Sequence, residues 1–276
     1  MLPKAWIVSI GNEVVSGQIV NTNGAWLAKR LVVLGFDVRR IIAVPDLEEE
    51  VVEVFRDAIS KSVDVVISTG GLGPTYDDRT SEFLAKAIGK KLIVNDEALK
   101  LVEEKYAVKG LPLTEHRVKM ALMPEGAKPI PNPVGTAPAI LVEANKTIII
   151  ALPGVPKEMK AIYEEYVEEF LKQRAPKVYR FEKWIKVTGI PESSLAPVID
   201  KVVKKYRTIY VKSHPRGSEL ASPVIHLYIV ASSLNNVDEA KEIVEEAYRE
   251  LVEEFLKLGG RVEELEINTV KGEGFG

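Results

Sequence analysis

Two aspartates, Asp77 and Asp78, follow three closely spaced glycines in Ser68-Thr69-Gly70-Gly71-Leu72-Gly73-Pro74-Thr75-Tyr76-Asp77-Asp78. An apolar run, Asp64-Val65-Val66-Ile67, precedes this segment, and a helical pattern, Ser81-Glu82-Phe83-Leu84-Ala85-Lys86-Ala87-Ile88, follows it. The glycines therefore sit at the exit of a strand and the carboxylates at the start of a helix. Glycine lets backbone N–H groups approach a phosphate closely, and a helix N-terminus favours an anion. A phosphate repels nearby aspartates unless they hold a metal or take part in proton transfer. The segment thus points to a phosphate ligand and a reaction on it. The same residues also suit a tight strand-to-helix turn with no ligand. Their spacing is neither a Walker A nor a GxGxxG pattern. No lysine follows the glycines directly, which argues against an NTP-hydrolysing P-loop.

Other residues fit the same chemistry and also admit a local explanation. Either Asp77 or Asp78 could cap the following helix, but capping needs only one carboxylate. Asp46 and Glu49 are spaced like a capping box, yet Asp46 would lie at the same sheet edge as Asp78. Together these aspartates could flank a phosphate and hold an Mg²⁺-like cation through oxygen ligands. Glu13, Asn21 and Asn23 lie in an early polar loop, where Thr22 or Asn23 could cap a helix. Asn132 and Thr136, in a Pro-rich stretch, could wall the same pocket or form a rigid crossover. Pro153-Gly154 is a turn before a helix or a further backbone contact. Lys212-Ser213-His214-Pro215-Arg216-Gly217 reads as a basic loop between strands.

These residues need elements to hold them. Residues 5–10 read as a buried strand, and Gly11 to Asn23 as a polar loop. Trp26, Leu27, Arg30, Leu31 and Leu34 form a helical face that Gly35 closes. Phe36 to Val44 is a second strand, a helix follows from Pro45, and Val63 to Ser68 is a third strand. This β-α-β-α-β order predicts a parallel sheet covered by helices. Lys91 to Val94 is extended. Asp96 to Val108 and Thr114 to Leu122 read as helices. Ile140 to Glu143 and Thr147 to Leu152 pair around Asn145-Lys146, and a long helix runs from Lys157 to Gln173. Ala175-Pro176 marks a boundary. Strands at 181–189, 209–213, 224–231 and 261–267, with helices at 192–206 and 237–258, then give β-α-β-β-α-β, a split βαβ sandwich. In an open parallel sheet, ligands bind outside the carboxyl ends of the strands. The loops at Gly11 to Asn23, Val44 to Asp46 and Thr69 to Asp78 all leave such ends.

Composition narrows the classes. The 276 residues suit two domains, and 46% hydrophobic with 28% charged residues describes a folded chain. A net charge of −3 argues against a dominant nucleic-acid surface. The absence of cysteine excludes disulfides, thiolate zinc sites and cysteine nucleophiles. His116, His214 and His226 have no metal-ligand spacing. No apolar run is long enough to span a membrane, and Met1-Leu2-Pro3-Lys4 does not resemble a signal peptide. The expectation is a cytoplasmic protein. Abundant Glu and Lys with scarce Gln give a thermophile-like composition.

Four ordered segments resemble the N-terminal part of the CinA (competence/damage-inducible protein A) family, itself similar to the molybdopterin-binding MoaB/MogA domain. They are Gly11 to Asn23, Thr69 to Asp78, Pro131-Asn132-Pro133-Val134-Gly135-Thr136-Ala137-Pro138 and Leu152-Pro153-Gly154-Val155-Pro156. Thr188-Gly189-Ile190-Pro191-Glu192-Ser193 extends the likeness into the second domain, a small KH-type module in the family. The GxxG loop of RNA-binding KH domains is missing, which argues against nucleic-acid binding. Asn12 stands where the family usually has Thr, a tolerable polar swap.

The resemblance implies an α/β chain with a MoaB/MogA-like three-layer parallel-sheet domain over residues 1–174. A small KH-type or split βαβ α+β domain follows over 175–267, with a tail at 268–276. It also implies a pocket for a phosphate-bearing pterin or nucleotide. Some CinA members cleave ADP-ribose to AMP and ribose phosphate with a divalent metal (Mg, Mn or Co). MoaB/MogA relatives adenylylate molybdopterin. By position, the catalytic and metal-holding aspartates fall on Asp46 and Asp78, ahead of Asp77, and the phosphate-binding glycines on Gly70, Gly71 and Gly73. Gly11, Glu13, Asn21, Asn23, Thr69, Leu72, Thr75, Asn132, Thr136, Pro153 and Gly154 complete the candidate ligand-binding set. The first expectation is a metal-dependent ADP-ribose pyrophosphatase. The alternative is a non-catalytic molybdopterin or nucleotide binder, or a molybdopterin adenylyltransferase-like protein. A homodimer or larger homo-oligomer is expected. The deamidase domain of long bacterial CinA proteins has no counterpart in this sequence, so nicotinamide-nucleotide deamidation is not implied.

Overall fold

Strand β1 (Lys4–Ile10) is buried on both faces after its first residue. Successive side chains of a strand point to opposite faces. Trp6, Val8 and Ile10 accordingly join one apolar core, and Ala5 and Ile7 the other. A strand covered on both sides reads as a near-continuous apolar run, and after Lys4 only Ser9 interrupts this one. The computed structural model describes residues 2–206, 208–216 and 223–265. The chain divides into two compact units, Met1–Pro176 and Lys177–Gly276.

In the first unit β1 is followed by α1 (Asn12–Val15), α2 (Thr22–Leu34), β2 (Asp37–Val44), α3 (Glu48–Ser60), β3 (Val65–Thr69) and α4 (Thr80–Ile88). Then come β4 (Leu92–Val94), α5 (Asp96–Ala107), α6 (Glu115–Lys119), β5 (Leu122–Pro124), β6 (Lys128–Ile130), β7 (Ala139–Ala144) and β8 (Thr147–Leu152). A final helical run holds α7 (Pro156–Ile162), a π-helical turn at Tyr163–Val167 and α8 (Glu168–Lys172). The main sheet has the order β2-β1-β3-β8-β7-β6. Strands β2, β1, β3 and β8 are parallel, and β7 and β6 add antiparallel edges. One core lies between the sheet and α3, α4 and α5, through residues such as Val52, Phe55, Phe83 and Val102. The other lies beneath α2 and the last helical run, through Leu27, Leu31, Met159 and Tyr163. The result is the three-layer, mostly parallel α/β architecture expected.

Several local expectations need correction. Leu122 does not end a helix. It starts β5, which pairs with β4 in a small two-stranded sheet. The polar loop after β1 contains the short helix α1. The Pro-rich stretch contributes β6, and the long helix after Pro156 is interrupted by the π turn. Gly35 closes α2 at φ 98°, as expected.

In the second unit β9 (Tyr179–Thr188), α9 (Glu192–Lys205), β10 (Ile209–Pro215), β11 (Val224–Ser233), α10 (Val237–Lys257) and β12 (Arg261–Leu265) form β-α-β-β-α-β. The sheet order is β10-β11-β9-β12, all antiparallel, which is the split βαβ form. Ile185, Val187, Leu227 and Ile229 pack on one face against Leu195, Val202, Val244 and Leu251 of the helices. Lys212 to Pro215 belong to β10 and are not a loop. Gly217, residues 266–267 of the expected last strand and the 268–276 tail lie outside the described residues.

Candidate functional site

The carboxyl ends of β1, β2, β3 and β8 open on one cleft of about 430 Å³. Gly11 and Glu13 come from the loop after β1, and Asp46 from the loop after β2. Gly70, Gly71, Leu72, Gly73, Asp77 and Asp78 come from the loop after β3. Pro153, Gly154 and Glu158 follow β8, and Thr136 and Ala137 lead into β7.

The glycine turn has a strict backbone reason. Gly70 and Gly71 take φ of 106° and 68°, which L side chains rarely adopt. A Cβ on Gly70 would run into the carbonyl oxygen of Ile10, and one on Gly71 into the Thr80 hydroxyl. Thr80 explains the second clash. Its Oγ1 donates to Gly70 O (2.9 Å) and its N–H to Gly71 O (3.0 Å), locking the turn to the start of α4. Leu72 is buried in the core, so only its backbone can face a ligand.

Asp46 does not cap a helix. Residue 47 occupies the N-cap position of α3, with no side-chain cap bond. The Asp46 carboxylate instead reaches the loop after β1. Its Oδ2 accepts from Asn12 N (2.8 Å), and its own N–H donates to Asn12 Oδ1 (3.4 Å). The Asn-for-Thr departure thus supplies part of a cross-loop latch. Burial pushes the Asp46 pKa up, the Asn12 N–H opposes this, and the nearby charges of Glu13, Asp77 and Asp78 raise it further.

Asp77 and Asp78 do not cap α4 either. Arg79 holds the N-cap position without a side-chain cap bond. Asp78 Oδ2 accepts from Thr75 N (2.9 Å) and lies 2.5 Å from Thr75 Oγ1. Asp77 Oδ1 is also 2.5 Å from that hydroxyl, which carries one proton and can serve one carboxylate at a time. The hydroxyl is the main cause of a lowered Asp77 pKa, with Lys119 adding to it. Thr75 is exposed and braces the loop without lining the cleft.

The remaining candidates fall into two places. Asn21, not Thr22 or Asn23, caps α2, accepting from Gly24 N (2.9 Å) and Ser9 Oγ (2.9 Å). Asn23 Nδ2 donates to Gly154 O (2.7 Å), while its buried Oδ1 has no partner. With Thr69 they line a smaller recess of about 110 Å³ that shares Ile10, Glu13 and Gly154 with the main cleft. Asn132 is buried behind the wall.

Sequence reasoning missed Glu158 and Lys119. Glu158 lines the cleft from the first turn of α7, where a glutamate is ordinary. Lys119 Nζ donates to Thr75 O across 44 residues, a contact no local spacing announces. Among the described residues, the lining contains Glu13, Asp46, Asp77, Asp78 and Glu158 but no lysine or arginine. Among the described residues, no three acidic, His or Cys side chains converge closely enough to hold a metal unaided. In Asp46 and Asp78 the protein donors take Oδ2 alone, leaving Oδ1 for another partner. That donor set fits a hard cation of the Mg²⁺ kind, held by one or two carboxylates with ligand phosphate and water.

A three-layer α/β fold with a cleft at the carboxyl edge of its sheet defines the class. The family model described as a probable molybdopterin binding domain matches residues 6–173, and the chain belongs to that family. It is similar to the CinA protein of Thermoplasma acidophilum, whose function is described as unknown. That likeness has 42% identity and a TM-score of 0.56, covering 60% of this chain and 98% of that one. A protein of Pyrobaculum calidifontis is 53% identical over 252 residues, 91% of this chain and 95% of the relative. One of Metallosphaera sedula is 44% identical over 266 residues, 96% and 99% respectively. The CinA-like resemblance therefore holds for the first unit. Among the described residues, no helix is long and apolar enough to cross a membrane.

Proposed function

We propose that the chain hydrolyses ADP-ribose-like pyrophosphates to AMP and ribose phosphate with a divalent cation. The observation that carries this reading is the lining itself. Backbone N–H groups of a glycine turn adjoin five carboxylates, and among the described residues no basic side chain lines the cleft to offset a phosphate's charge. Such a cleft suits a phosphate that arrives with a cation. Asp46 and Asp78 would hold that cation through their Oδ1 atoms. When bound, it would neutralise the pyrophosphate and favour attack by water. The Gly71 to Gly73 backbone would fix the phosphate, because the N–H of the expected phosphate-binding Gly70 is spent on Leu152 O (3.0 Å), and the Asn12 latch would keep Asp46 facing it. Water would add to one phosphorus, the bridging P–O bond would break, and each product phosphate would keep one proton of the water. A cytoplasmic homo-oligomer is part of the same proposal.

AMP release from ADP-ribose with Mg²⁺, Mn²⁺ or Co²⁺ tests this. Turnover that chelation abolishes supports the reading, and no turnover with any of the metals overturns it. The family model's description favours a second reading, binding of molybdopterin or its adenylylation. That reading predicts thermal stabilisation by ligand without turnover, or pyrophosphate release from ATP.

A further inference from the structure

Glu158 sits at the end of the cleft away from Asp46. The sheet order puts Asp46 after β2 and Glu158 after β8, with the glycine turn after β3 between them. Three strand spacings of ~4.8 Å separate the two ends by about 14 Å. The glycine turn follows β3, the neighbour of β8 and one spacing of ~4.8 Å away, so the part of a ligand next to a phosphate on that turn comes beside Glu158, where a carboxylate repels phosphate oxygens and accepts from donor groups.

The neighbourhood of Glu158 is built to hold a carboxylate still. Asn132, 3% exposed, donates from Nδ2 to Glu158 Oε2 (2.7 Å) and to Ala137 O (3.0 Å). Its Oδ1 accepts from Gly135 N (2.7 Å) and Val134 N (3.2 Å). Every hydrogen-bonding position of that buried amide is spent on the loop and on Glu158. Gly135 has no left-handed φ to explain it, yet a Cβ there would collide with Glu158 Oε2. Glycine at 135 therefore makes room for the carboxylate. Among the described residues, no donor reaches Glu158 Oε1. An ionised carboxylate is acceptor-only, so its partner must bring donors.

We propose that Glu158 is a specificity residue that reads a paired-donor edge on the non-phosphate part of the ligand. Two sources present that edge: the cis-diol of a ribose, and the amino-pyrimidinone edge of a pterin. Carboxylates accept from both kinds of donor. The inference rests on the reading that phosphate occupies the glycine turn, but it does not require turnover.

Calorimetric titration in Mg²⁺ tests it, with wild type, Glu158→Gln and Gly135→Ala. The probes are the non-hydrolysable α,β-methylene ADP-ribose, its 2′,3′-dideoxy form for each ribose, 6-hydroxymethyldihydropterin diphosphate and methylenediphosphonate. Both variants should bind one of the two intact probes at least tenfold more weakly than wild type. Their affinity for methylenediphosphonate should stay within twofold. Selective loss on α,β-methylene ADP-ribose, absent with its dideoxy forms, identifies the ribose diol. Selective loss on the pterin diphosphate identifies the pterin edge. Unchanged affinity of Glu158→Gln for both intact probes overturns the proposal. So does an equal loss on methylenediphosphonate, which would make Glu158 part of the phosphate or cation site. Tight binding in wild type with no AMP release from ADP-ribose would fail the hydrolase reading alone.

Discussion

Asp46 and Asp78 face one cleft but are held in opposite ways. Asp46 reaches across to another strand's loop, through a partner 34 residues away in sequence. Asp78 folds back on its own loop, three residues away. Burial and neighbouring carboxylates push the Asp46 pKa up, against the Asn12 N–H. Similar residues at one sheet edge therefore carry different burdens. Removing Asp46 should cost chemistry more than fold, and removing Asp78 should cost loop order as well.

The largest effect separating the two is on turnover. Asp46→Ala should lower AMP release by about 100-fold or more, ~3 kcal/mol of transition-state stabilisation, with little change in Tm. Steady-state kinetics beside a thermal melt check this, and a large Tm loss with retained activity would reverse the assignment. Gly70→Ala comes next. A left-handed φ combined with the clash on Ile10 should destabilise the unit by about 2–3 kcal/mol, read by urea unfolding.

Asp78→Ala should cost about 1 kcal/mol of stability through the lost Thr75 bonds, along with a smaller drop in turnover than Asp46→Ala. Thr75→Val should reproduce much of that stability loss. If it does not, Asp78 is not held by Thr75. The smallest effect concerns the first turn of α4, which neither aspartate caps. Arg79 and Lys86 hold Glu82 down to about 2. A depressed carboxylate stabilises the fold above its ordinary pKa and loses that contribution as pH falls through the depressed value. Glu82→Gln should therefore cost under ~1 kcal/mol at pH 7 in an exposed ion pair, and nothing near pH 2.

The sheet and the convergence of its loops were legible because β1 and β3 are mostly apolar, buried runs, each followed directly by glycine. Partnerships inside the cleft were not. The 46–49 spacing mimics a capping box, and only the fold shows the Asp46 carboxylate turned toward Asn12. Asn21, Thr22 and Asn23 are all plausible caps by type. The choice depends on Ser9 and Gly24 meeting Asn21 while Asn23 bonds Gly154. Glu158 is hidden by an ordinary place in a helix's first turn, and its bond to Asn132 and the room that Gly135 leaves for it appear only in the fold. The pairing of β4 with β5 skips two helices, so periodicity within either strand could not reveal it.

The central claim is that this carboxylate-lined cleft accepts a pyrophosphate only together with a cation. Titration of α,β-methylene ADP-ribose into the 276-residue chain, in Mg²⁺ and then in EDTA, tests it most directly. The account predicts saturable binding with Mg²⁺ that weakens at least tenfold in EDTA. Equal affinity in both would contradict it.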